Sequence, residues 1–281
     1  MTSAEPGAVR HPARALVAWM EERARGRLDR GDAPAPLPDF GPALRDRPPL
    51  DQAGLITPVS DVLREHVAAV RASEGARRML AEGWEIALVS DLRRVIAAQP
   101  LVVCDRAPGE PADPPAGDPV AIARVTLPLA PPPADISYEL NEPDQTWEIR
   151  SPNPNLRING TFGGELGPGV SGFGFTFSVM TSYLSIAERD GRHVLRDGYH
   201  RAYRLLAAGI HQVPAFVRRY GEREAIFRSS MLGEGTYLSD RAPTLADYHD
   251  DAVAGDAWIT LGETRARVSA VPASLAVGTI A

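Results

Sequence analysis

Residues 183–217, YLSIAERDGRHVLRDGYHRAYRLLAAGIHQVPAFV, constrain the fold of this 281-residue chain more than any other stretch. Tyr183 to Glu188 alternates apolar and polar residues, the pattern of a half-buried strand. Asp190-Gly191 is a two-residue hairpin signal, because primed turns need positive φ. His193 to Arg196 reads as the returning strand, closed by Asp197-Gly198. The period then changes. Ala202, Leu205, Leu206 and Gly209 fall at i, i+3, i+4 and i+7, one face of a helix, with Gly209 as its stop. Val213 to Val217 is a further strand. Hairpin, turn, helix and strand in that order predict an α+β fold with a mixed sheet and flanking helices.

The turn also carries chemistry. Asp197-Gly198-Tyr199-His200-Arg201 places a glycine, a histidine and an arginine at a helix amino terminus. The first amides of a helix lack intrahelical partners and the dipole is positive there, so an anion is favoured. Gly198 lets a phosphate approach the backbone, Arg201 offers a bidentate contact and His200 one more donor. The alternative is an ordinary strand-to-helix turn, with Asp197 as the cap and the basic residues in solvent. Spacing alone leaves both readings standing.

The run HVLRDGYHRAYRLLAAGIHQVPAFV resembles the ParB/sulfiredoxin superfamily. That family has a strand, a Gly-x-[His/Arg]-Arg turn, a helix ending in glycine and a Val-Pro strand. Gly198, His200 and Arg201 match the turn position by position. The resemblance covers about residues 173–217, with a weaker echo at 85–103. It implies that Asp197 to Arg201 bind the phosphates of ATP or another nucleotide, with Mg²⁺. Sulfiredoxins carry a cysteine where this chain has Tyr199, so sulfinic acid repair is not expected. ParB proteins continue into a DNA-binding region, and the acidic stretch after Val217 is too short for one. The turn is most similar to the small-molecule kinase branch, from which it differs by Tyr199. That branch's acid suggests Glu85 and Asp91 as catalytic carboxylates, with Glu148 as a rival.

Composition bounds the answer. Hydrophobic residues make up 44%, so the chain is expected to be globular with a sizeable core. Net charge is −6, without a long basic block, which argues against a nucleic-acid partner. The single cysteine fits a reducing cytoplasm. No apolar run approaches the roughly 20 residues of a membrane span.

Along the chain, Leu16, Trp19, Met20 and Arg23 predict an N-terminal helix over His11 to Arg30, able to dock on the core or on a protein partner. Prolines then mark a linker, so 1–55 reads as an extension and 56–271 as the ParB/sulfiredoxin-like domain, with 272–281 as a tail. Ser60 to Ala81 is expected to be one helix. Trp84 to Val89, Leu101 to Cys104 and Val120 to Leu127 are strand candidates, with a short helix between Ser90 and Ala98. Cys104 reads as a buried small hydrophobe. Pro and Gly in about 106–145 suggest an insertion. Trp258 to Leu261 and Ala266 to Val271 look like a closing pair of strands.

A second candidate for chemistry is Ser151 to Ile158. Two Asn-Pro pairs fix extended or turn backbone, which lets Asn153 and Asn155 present amides and Arg157 meet an anion of the substrate. The alternative is a rigid loop satisfying its own backbone. Residues 160–174 are glycine-rich without a following Gly-Lys-Ser/Thr, so they are not a P-loop. They read as a mobile surface loop or a flap, and Phe173, Phe175 and Phe177 as the start of a strand. Asp247, His249, Asp250 and Asp251 are read as a solvated turn rather than a divalent-ion site, and no metal ligands are assigned.

Two functions are expected from these residues. One is a nucleotide-dependent phosphotransferase acting on a small hydroxylated substrate, in which positioning and charge neutralisation do most of the work. The other is a non-catalytic module that binds a nucleotide or another phosphorylated ligand.

Overall fold

The structure is a computed structural model that describes residues 10–31, 37–106, 112–131, 135–143, 146–151, 153, 156–222, 224–227, 231–260 and 264–269. In chain order its strands are β1 (Arg10–Ala15), β2 (Ile56–Thr57), β3 (Glu85–Val89), β4 (Leu101–Val103), β5 (Ser137–Asn141), β6 (Thr146–Ser151), β7 (Leu156–Gly167), β8 (Val170–Val179), β9 (Ser185–Arg189), β10 (Arg192–Asp197), β11 (Val213–Arg219), β12 (Gly255–Thr260) and β13 (Thr264–Ser269). Its helices are α1 (Glu22–Arg25), α2 (Gly41–Asp46), α3 (Arg64–Ala72), α4 (Glu74–Ala81), α5 (Pro119–Thr126), α6 (Tyr199–Ala207) and α7 (Glu234–Tyr237). The class is α+β. Two compact units form: Met1–Pro131 with Thr181–Leu261, and Pro132–Met180 with Gly262–Ala281.

The first unit holds a five-stranded sheet, order β10-β9-β11-β3-β2, and a three-stranded sheet, order β12-β1-β4. The hairpin β9–β10 turns at Asp190 and Gly191, both at positive φ, as a type I′ turn demands. β11 then pairs parallel to β9, with Phe216 beside Ser185, and antiparallel to β3. Helix α6 makes the connection. Its inner face, Tyr199, Ala202, Leu205 and Leu206, packs into a cluster with Leu184, Ile186, Leu195, Val213 and Ala215. The helix stops at Gly209, at φ 73. There the Gly209 amide bonds Leu206 O and the Ile210 amide bonds Leu205 O, a Schellman closure.

Several expected elements differ. The helix expected over His11 to Arg30 is instead β1, a turn, and the single helical turn α1. β1 is the central strand of its sheet, held by β12 on one side and β4 on the other, with Ala13 and Ala15 buried. Hydrogen bonds to both neighbours outweigh the helical spacing of Leu16, Trp19 and Met20, which serve the core from the turn. The surface helix assigned to partner docking therefore does not exist. The helix expected over Ser60 to Ala81 breaks at Ser73, whose extended backbone (ψ 150) caps α4 through its hydroxyl, 3.3 Å from the Ala76 amide. Val120 to Leu127 is helical, not a strand. Asp118 accepts from the amides of Val120 (3.0 Å) and Ala121 (2.9 Å), and Pro119 sits in the first turn. The stretch after Ser90 makes only a 3-10 turn, Leu92–Arg94. The Pro/Gly-rich range 106–145 straddles the two units, since α5 packs in the first.

The second unit contains a sheet of order β13-β6-β5 and the two-stranded ribbon β7–β8. The closing strands thus do not pair with each other: β12 pairs with β1, and β13 with β6. The glycine-rich stretch is neither loop nor flap but most of the ribbon. Phe162 lies across Gly174 and Leu166 across Gly172, where an added Cβ would come within 2.3 Å and 2.8 Å of those side chains. Among the described residues, no helix is long and apolar enough to cross a membrane.

Of the segment expected as a solvated turn, His249, Asp250 and Asp251 are exposed, and Asp247 alone is built inward. Asp247 is buried and closes a capping box with Thr244, and its carboxylate takes a two-point contact from Arg47, 2.6 Å at Nη1. Removing one member of a buried ion pair strands the other. Asp247→Ala should therefore cost about 3 kcal/mol, read as a lowered urea midpoint at unchanged m-value. A shift under about 0.5 kcal/mol would show the pair to be dispensable.

Candidate functional site

The candidate turn begins with a bulge. Leu195 pairs with Ile186 and Asp197 with Ser185, so Arg196 is the extra residue, and its guanidinium lies over Trp84 at 5.4 Å. Gly198 follows as the N-cap of α6 with φ 95 and ψ 24. Two constraints demand glycine there. The φ is left-handed, and a Cβ would sit 3.3 Å from Leu184 Cα.

Each expected side chain has a definite place. Asp197 Oδ2 accepts from Ser182 Oγ at 3.0 Å, and Oδ1 from the Gly198 amide at 2.8 Å. The carboxylate thus holds an amide that an anion would otherwise use. Tyr199, expected at the ligand, is a core residue. Its hydroxyl donates to Leu195 O and accepts from the Ala98 amide at 3.1 Å. Burial pushes its phenol well above the usual tyrosine range. His200 Nδ1 accepts from the Val103 amide at 2.9 Å, so that nitrogen carries no proton and the ring ties α6 to β4. Arg201 Nη1 donates to Ser182 O (3.2 Å) and Thr126 O (3.5 Å). Thr126 ends α5, where the helix dipole favours a cation. Asp197, Gly198, His200 and Arg201 are therefore gathered on one turn, bound to β4, to the end of α5 and to the segment entering β9.

The proposed acids are not brought to that turn. Glu85 is exposed at the start of β3, opposite Val217, and β3 lies three strands from β10. At a strand spacing of about 4.8 Å that is about 14 Å. Asp91 precedes Leu92, whose amide bonds His211 O beyond the carboxyl end of α6. Nine helical residues, about 13 Å, separate that end from Gly198. Asp91 caps the 3-10 turn and takes both Nε and Nη2 of Arg93 at 2.9 Å, which holds its carboxyl below the usual range. Asn153, Arg157 and the rival Glu148 belong to the second unit. The Asn153 amide donates to Ser151 Oγ at 3.1 Å, and Arg157 Nη1 donates to Leu156 O at 2.7 Å. Glu148 is paired with Arg150 and Arg267. Asn155 lies outside the described residues.

A polar cluster that sequence reading missed flanks the same helix. Tyr203, one turn after His200, stacks on the His249 ring at 4.3 Å and 6°. Its hydroxyl lies beside the Cys104 thiol, and burial raises it to about 12. Cys104 is half-buried rather than fully inside, and burial also pushes its thiol up. Arg14, salt-bridged to Asp251 (2.6 Å) and Asp256 (2.7 Å), lies beside this group. Desolvation lowers His249 below the ordinary histidine value. The i, i+3 spacing of His200 and Tyr203 was the only sequence trace of it. Among the described residues, no group of three or more His, Cys, Asp or Glu side chains is placed to hold a metal ion.

Neither a family model, nor a curated protein, nor a solved structure matches the chain.

The geometry of the turn can be checked by stability. Gly198→Ala should cost roughly 1–3 kcal/mol through strain and the Leu184 contact, and Tyr199→Phe about 1–2 kcal/mol from the unpaired Ala98 amide. Thermal melts that leave both variants at the wild-type Tm would contradict the described turn.

Proposed function

We propose that the chain is a nucleotide-phosphate-binding protein with a ParB/sulfiredoxin-like fold, its contact lying at Gly198, His200 and Arg201. The observation that carries the reading is the left-handed Gly198 directly before helix α6, with Arg201 half-buried in the first turn. A helix amino terminus beside a guanidinium suits the terminal phosphates of ATP, ADP or CTP. Mg²⁺ would supply charge neutralisation on the bound phosphates. Asp197 is the gate in this scheme: its carboxylate leaves the Gly198 amide when a phosphate arrives. The non-catalytic form of the reading is favoured by the placement of Glu85 and Asp91, both remote from the turn. The phosphotransferase form needs an acid delivered by the bound substrate complex. A reducing cytoplasm suits the free Cys104 thiol under either form.

Calorimetry against ATP, ADP and CTP, with and without Mg²⁺, tests this. One of them should bind saturably, and Arg201→Ala should weaken it roughly 10- to 150-fold, the equivalent of about 1.5–3 kcal/mol for an arginine–phosphate contact. Circular dichroism melts of the variant separate lost binding from lost fold, since Arg201 also holds two carbonyls. Silence from all three nucleotides would overturn the proposal.

A further inference from the structure

The ribbon β7–β8 is a two-stranded sheet of its own. It has two strands of twelve and ten residues, and among the described residues neither outer edge pairs with another strand. Two-stranded ribbons are marginal in water, and three or more strands are the usual minimum for independent stability. The ribbon nonetheless exposes Ile158, Phe162, Leu166, Val170 and Phe173, the last at 70%.

Its two edges differ. β7 is bulged twice, at Ile158/Gly160 and Glu165/Gly167, and carries Arg157 and Glu165. Bulges and charges are the usual guards of an edge strand. β8 has neither. Its partners on β7 shift, but Val170–Val179 itself runs without an extra residue, and VSGFGFTFSV has no charge and no proline. This unguarded edge is also symmetric on reversal. About Phe175 stand Gly174 and Thr176, then Phe173 and Phe177, then Gly172 and Ser178, so small residues mirror small and phenylalanines mirror phenylalanines. In an antiparallel pair of identical strands about a two-fold axis at residue 175, each residue 175+k lies opposite residue 175−k of the other copy, so this pattern sets phenylalanine against phenylalanine and small residue against small residue, whereas a charge on the axis would face its own copy.

We propose that β8 pairs antiparallel with β8 of a second copy of this chain, with Phe175 on the two-fold axis. The result is a four-stranded sheet, β7-β8-β8-β7, with the copies in inverse order. Phe173 of each copy then lies opposite Phe177 of the other. The axis is perpendicular to the sheet, so all six rings occupy one face. They extend the row already formed within one chain, where Phe173–Phe175 and Phe175–Phe177 ring centroids are 4.9 Å and 6.3 Å apart. The opposite face keeps Phe162 and Leu166 over Gly174 and Gly172.

The test uses the full chain in a Cys104→Ser background, which leaves no other thiol. Sedimentation equilibrium of the parent should give a dimer, and Phe175→Lys, which sets two ammonium groups against each other, should raise its dissociation constant at least tenfold. Phe175→Cys should crosslink to a covalent dimer under mild oxidation. Phe173→Cys alone should not, because residue 173 lies about four residues, roughly 14 Å, from its own copy along the pair. Phe173→Cys/Phe177→Cys should crosslink again. A monomeric parent overturns the proposal, and so does a dimer indifferent to Phe175→Lys, or one that crosslinks through Phe173→Cys as readily as through Phe175→Cys. The cysteine series decides the matter even where Phe175→Lys fails to fold.

Discussion

The first unit depends on the backbone of Leu184. Its amide bonds Thr126 O at the end of α5, its carbonyl receives the Phe216 amide from β11, and its Cα is the surface against which Gly198 closes. Three elements meet at this residue, and Gly198, lacking a side chain, lets α6 begin close against it. A Cβ there would be strained at φ 95 and would crowd Leu184 Cα at 3.3 Å, so the two elements would have to part by a few tenths of an ångström. Tyr199, the next residue, then sinks into the core and ties the turn to Ala98 and Leu195. The turn is thus first a packing device, and the proposed phosphate contact would use only the helix end it exposes.

That dual use explains how the side chains divide. The same residues that a phosphate would call on are already bonded to protein: Arg201 to two carbonyls, His200 to the Val103 amide, and the Gly198 amide to Asp197. Ligand binding at such a turn exchanges hydrogen bonds rather than adding them. The net gain per contact is then nearer the ~1.5–3 kcal/mol of an exchanged hydrogen bond to a charged group than the ~4–6 kcal/mol of an unopposed one.

What could be read from the sequence was what is local. Asp190-Gly191, Gly198 and Gly209 each mark a positive φ that few other residues tolerate, and all three take it up. The hairpin, α6 and β11 follow from them. What escaped was non-local. The helical period of Leu16, Trp19, Met20 and Arg23 lies just after β1, and two distant neighbours make Arg10–Ala15 a strand. PVAIARVT alternates well enough for a strand, and the Asp118 cap decides otherwise. Gly172 and Gly174 of β8 read as loop because Phe162 and Leu166, which fill the space over them, come from β7. In the site, Gly198 was legible from its position. The burial of Tyr199 was not, since its amide partner lies about a hundred residues earlier. Nor was the meeting of Cys104, Tyr203 and His249, which three separate segments bring together.

The position of β1 bears on how the chain comes off the ribosome. Ala15 pairs with Leu101 on one side and with Gly255 on the other. The strand emerges early, then waits for a partner made about 240 residues later. At roughly 5–20 residues per second that wait is roughly 10–50 s. Through it one edge of β1 is open to any passing strand, so a nascent chain stalled before β12 is a natural client for a chaperone.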